Sequence, residues 1–87
     1  MRATVRFLGS FRSLAGVGSA VVELENGSDL GSALEKLAAD YPAFSGPSVF
    51  ARGLVLVDGT ESRNLDGAGT LLSEGSTITL IPVVHGG

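Results

Sequence analysis

The residues with the clearest chemical content are Ile81-Pro82-Val83-Val84-His85-Gly86-Gly87, where a strand-like run leads almost directly into a glycine pair. Glycine has no Cβ, so its backbone can enter slots too narrow for other residues. A carboxylate carried on Gly87 could therefore be delivered deep into another protein's active site. Such a carboxylate is inert toward acyl transfer until one oxygen becomes part of a better leaving group, as in an acyl phosphate or an adenylate. The chain has no Gly-Lys-Ser/Thr phosphate loop with which to bind ATP. Activation would then fall to a partner. The plain alternative is an end with no role, because terminal residues tolerate almost any composition.

Other chemistry is largely excluded by what the chain lacks. With no cysteine it cannot supply a thiol nucleophile, a disulfide framework or a thiolate metal site. A single histidine, His85, cannot build a histidine-based metal site, so no metal is expected. No pair of carboxylates has a spacing that argues for acid-base catalysis, and the Gly-Val-Gly and Gly-Ala-Gly triplets at 16–18 and 67–69 read as loop punctuation. Lys36 is the one lysine, and with the N-terminal amine it is the only acceptor through which copies of this chain could form amide-linked chains. Net charge is −3 and the arginines, Arg2, Arg6, Arg12, Arg52 and Arg63, form no basic stripe in the sequence, which disfavours nucleic acid as a partner. No apolar run approaches the roughly 20 residues of a membrane span. A cytoplasmic protein is expected, with no membrane partner.

The elements that must position these residues follow from hydrophobic period. "ATVRFL" at the start sets Ala3, Val5 and Phe7 against Thr4, Arg6 and Leu8, the alternation of a half-buried strand. Residues 9–19 read as a turn-rich connection, and "AVVELE" alternates again, with Ala20, Val22 and Leu24 on one side. The two strands suggest an antiparallel hairpin. "SDLGSALEKLAADYP" is the one strong helix. Leu30, Leu34, Leu37 and Tyr41 form one stripe, Ser28 or Asp29 can cap its start, and Pro42 cannot continue it. Residues 43–53 read as a loop and "LVLVDG" as a strand closed by an Asp-Gly turn, followed by a short strand near Arg63 to Leu65. Glu74-Gly75 makes a turn before a last strand, in which Ile78 and Leu80 alternate with Thr77, Thr79 and Ile81.

Strands with one helix laid across them make a two-layer α+β domain. A β-grasp or a split βαβ arrangement would satisfy this order. If the first and last strands are neighbours, Leu8 and Ile81, each the apolar end of an outward row, fall together. They are then either a partner-binding patch or two of the isolated apolar residues that any surface carries.

Three stretches, "VRFLGSFRSLAG", "LEKLAADYP" and "LVLVDGTESRNLDGAGTLLSEGSTITLIPVVHGG", resemble the MoaD/ThiS family of ubiquitin-like sulfur carriers over essentially the whole chain. The resemblance implies a β-grasp (ubiquitin-like) fold with a mixed four- to five-stranded sheet and one main helix across it. It divides the chain into a domain of residues 1–83 and a flexible Gly-Gly tail of 84–87. It further implies a carrier and not an enzyme, with no bound cofactor. A ubiquitin-activating-type enzyme would use ATP to adenylate Gly87, and sulfur from a persulfide would displace AMP to leave a thiocarboxylate. Val83, Val84, His85 and Gly86 would thread into the partner, and Leu8, Leu65 and Ile81 would form the docking patch. In the MoaD branch the sulfur goes to molybdopterin on a synthase large subunit. A His before the glycines is more similar to ubiquitin-related modifiers, which serve tRNA thiolation and attach to target-protein lysines, with Lys36 as an acceptor within this chain.

Overall fold

The structure is a computed structural model that describes residues 1–83. Five strands, β1 (Arg2–Phe7), β2 (Ser19–Glu23), β3 (Gly53–Val57), β4 (Thr60–Glu61) and β5 (Ser76–Pro82), form one sheet in the order β2-β1-β5-β3-β4. β1 and β5 run parallel, and the other pairs are antiparallel. The expected hairpin of the first two strands is present, with Arg2 opposite Glu23 and Arg6 opposite Ser19. The last strand occupies the centre of the sheet.

Three α-helices accompany the sheet: α1 (Gly9–Ala15), α2 (Leu30–Asp40) and α3 (Gly46–Arg52). α2 is the expected main helix and buries Leu30, Ala33, Leu34 and Leu37. Asp29 caps it, its Oδ1 accepting from the Ser32 amide at 2.8 Å, whereas the Ser28 hydroxyl donates to the Glu25 carbonyl. Hydrogen bonding from the Ser32 backbone N–H, and then from the Ser32 side chain, holds the Asp29 carboxyl below its ordinary value.

The other two helices correct the sequence expectation of loops at 9–19 and 43–53. Each is seven residues long and buries one side chain, Phe11 in α1 and Val49 in α3, so neither displays a periodic stripe. Packing holds them: Phe11 meets Phe44 edge-on with ring centroids 5.5 Å apart, and Phe44 lies 4.9 Å from Phe7. Pro47, in the first turn of α3, occupies a site where a missing N–H costs nothing. The strand expected near Arg63 to Leu65 is also displaced. β4 lies at Thr60–Glu61, directly after a turn with Asp58 and Gly59 at positive φ, and Ser62–Asn64 form a 3₁₀ turn.

The core lies between α2 and the inner face of the sheet. Val5, Ile78 and Val57 align in register on that face, as do Phe7, Leu80 and Val55 on the next row, and all are buried. Thr79 was expected on an exposed face but is 8% exposed. It does face outward, yet its strand is central, with Arg6 on β1 and Leu56 on β3 directly beside it.

Candidate functional site

Register assembles the candidate site on the outer sheet face, at the end where β5 leaves the sheet. The row of Arg6, Thr79, Leu56 and Glu61 crosses four strands. The following row brings Ile81 opposite Leu54. Leu8, the residue between β1 and α1, adjoins it, because the Leu8 N–H donates to the Leu80 carbonyl at 3.1 Å, next to Ile81 in the chain. Leu8, Ile81 and Leu54 are all half-buried. The structure thus brings Leu8 and Ile81 together, although Ile81 is more covered than an exposed position at a strand end would be. Leu65 is 43% exposed but lies off these rows, capping the 3₁₀ turn that follows β4.

Beyond Ile81 the chain stays tied to its neighbours. The Val83 N–H donates to the Arg52 carbonyl at 3.1 Å, and Val83 is 40% exposed. Val83, Leu54, Gly53, Phe50, Ala51 and Arg63 line a cavity of about 200 Å³. Arg63 Nε lies 2.6 Å from Glu61 Oε1, and this partner holds the Glu61 carboxyl below the ordinary range. Val84, His85, Gly86 and Gly87 lie outside the described residues, so the expected tail has no geometry here. Lys36 is exposed on α2 and lines a second cavity, of about 250 Å³, with Asp40, Tyr41 and β2 residues. It is remote in the sheet order from the row of Ile81 and Leu54.

Two members of this face, Leu54 and Leu56, were not singled out from the sequence. "LVLV" carries the alternation, but all four residues are apolar, so nothing marks which pair turns outward. Among the described residues no group of three or more His, Asp or Glu is placed to hold a metal ion. No described helix is long and apolar enough to cross a membrane.

A mixed sheet with a central, parallel last strand and a capped helix across one face defines a ubiquitin-like protein of the β-grasp class. The chain belongs to the ThiS family, whose model matches residues 5–87, a family of ubiquitin-like sulfur carriers and protein modifiers that are not themselves enzymes. It is 30% identical over 92 residues to small archaeal modifier protein 3 of Haloferax volcanii, covering 100% of both chains. Its fold is similar to the crystal structure of SAMP1 from Haloferax volcanii, with a TM-score of 0.84, 21% identity and 100% of both chains covered. It is similar also to a protein-protein complex of subunits 1 and 2 of the molybdopterin-converting factor from Helicobacter pylori, with a TM-score of 0.59, 23% identity and 100% of both chains covered.

Proposed function

We propose that this chain carries sulfur as a thiocarboxylate on Gly87 and delivers it in molybdopterin synthesis. The observation that carries the reading is the family match running through Gly86 and Gly87 on a sheet whose central strand leads toward them. ATP would serve as the substrate of a separate adenylating enzyme. That enzyme would join AMP to the Gly87 carboxylate with release of pyrophosphate. The outer sulfur of a persulfide would then displace AMP to give an acyl disulfide, and a second thiol would cleave its S–S bond, leaving the thiocarboxylate and a disulfide. The carrier contributes a carboxylate and a docking face of Leu8, Ile81 and Leu54, and no catalytic side chain. Leu65 is proposed as an outlying member of that face, and a synthase large subunit as the acceptor's host.

A second reading has its own support in the 30% identity to a small archaeal modifier protein. In it a lysine amine attacks the same activated Gly87, forming an isopeptide bond and releasing AMP. Intact mass of the protein recovered from its native cells separates the two readings. Sulfur in place of one terminal oxygen is expected for the carrier. Target lysines carrying the C-terminal peptide that follows Arg63, found after tryptic digestion with no thiocarboxylate present, would make the chain a modifier instead.

A further inference from the structure

The arginines that are scattered in the sequence are gathered by the fold. Arg6 lies on the outer row just before Leu8 and Ile81. Arg52 ends α3, its carbonyl accepts from the Val83 N–H, and its guanidinium carbon stands 5.6 Å from the Phe11 ring centroid. Arg63 shares a cavity wall with Leu54 and Val83. All three are exposed, and the acid among these rows is Glu61, already engaged by Arg63. The other end of β1 has the opposite character. Arg2 is paired with Glu23 at 2.6 Å, Glu74 accepts from the Arg2 amide at 3.0 Å, and Asp58 accepts from the Thr77 amide at 2.9 Å. A chain of net charge −3 is therefore polarised, with three of its six cations placed around the base of the C-terminal segment.

We infer that Arg6, Arg52 and Arg63 form a cationic rim around the apolar row of Leu8, Ile81 and Leu54, and that the partner docking there is a protein whose apolar slot is edged with Asp and Glu. This rests on the proposed carrier reading, and it specifies the surface that the activating enzyme must present. The strand rows carry no aromatic residue on which a base could stack, and the aromatic rings beside the arginines, Phe50 and Phe11, are half-buried and buried, which favours a protein partner over nucleic acid. Rim charges act mainly on encounter rate and salt dependence, while the apolar centre supplies contact area. The rim also gives an acidic carrier a way to approach an acidic partner in one orientation, with Gly87 leading.

The test is ATP–pyrophosphate exchange by the ubiquitin-activating-type adenylating enzyme of the same organism, with the full chain as substrate. Arg6→Glu, Arg52→Glu and Arg63→Glu are each expected to raise the carrier's KM roughly three- to tenfold with kcat retained. Added salt should raise the wild-type KM and affect the triple variant less. Arg2→Glu, at the opposite end, should leave KM unchanged. Circular dichroism and a melting curve establish that each variant is folded. If the wild type is adenylated and the three reversals leave KM unchanged, the rim is overturned and the carrier reading stands. The rim is equally overturned if the reversals abolish binding of a tRNA transcript while KM is unaffected. A wild-type chain that the enzyme does not adenylate overturns both.

Discussion

Gly53 stands against the carbonyl oxygen of Ile81 so closely that a Cβ on Gly53 would collide with it and would come within 2.9 Å of Phe11 Cε2. Gly53 is extended and opens β3, so it is the close approach and not backbone freedom that calls for glycine. The approach lets β3 and β5 stay paired up to Gly53 and Pro82, beside the proposed docking row. Gly53→Ala is expected to destabilise the domain by about 1–3 kcal/mol through overpacking. It should also loosen protection of the Val83 amide before that of the Leu80 amide. Hydrogen exchange of the two amides checks this, and equal loss at both would mean a global effect only.

The four longer strands, β1, β2, β3 and β5, and α2 were legible because their apolar residues repeat regularly along the chain, whereas the two-residue β4 was not. Ala3, Val5 and Phe7 are buried in alternation, and Leu30, Leu34 and Leu37 follow the helical period with a capping Asp29. α1 and α3 were not legible, since a single buried residue, Phe11 or Val49, sets no period. Gly9, Ser10 and Gly46-Pro47 also carry the composition of a loop. The candidate site was half legible for a related reason. Leu8 and Ile81 end rows with polar members, whereas Leu54 and Leu56 sit in an apolar run that hides its outward face. The clustering of Arg6, Arg52 and Arg63 depends on the parallel pairing of β1 with β5 and on α3, neither of which local pattern reveals.

Phe44 couples α1 to the main core. It is 1% exposed and touches both Phe7 and Phe11, with centroids 4.9 and 5.5 Å away. Phe44→Ala should cost about 3–5 kcal/mol, a large share of a small domain's stability. A denaturant titration should show the midpoint falling steeply. A change below 1 kcal/mol (order of magnitude for a surface site) would place the coupling elsewhere.

Asp29 supplies a pH dependence with a definite sign. Its carboxyl is held below the ordinary value of 3.8 by hydrogen bonding from the Ser32 backbone N–H and side chain. Its contribution is therefore present in full above that value and is lost as pH falls through the lower folded value. Asn caps a helix about as well as Asp but does not titrate in this range. Asp29→Asn is expected to match wild type near neutrality and to lose less stability on acidification below pH 3.8. Asp29→Ala should cost about 1 kcal/mol even at neutral pH. Urea midpoints measured against pH for the three proteins check both statements, and parallel curves for Asp and Asn would refute the first.

The docking row makes a prediction that separates affinity from stability. Ile81 and Leu54 face each other in register on the outer sheet face, half-covered, while Val21 on edge strand β2 shares that face and is 62% exposed. A charge at Leu54 or Ile81 would have to be desolvated when a partner closes over the row, whereas one at Val21 would remain in water. Leu54→Glu and Ile81→Glu should each weaken binding to the adenylating enzyme by about tenfold or more, equivalent to about 1.4 kcal/mol. Both variants keep one face of the side chain in solvent, so their melting temperatures should fall by only a few degrees. Val21→Glu should leave affinity unchanged. Calorimetric titration of the three variants, with melting curves alongside, decides the matter. Equal affinities for Ile81→Glu and Val21→Glu would mean that the partner docks on some face other than this row.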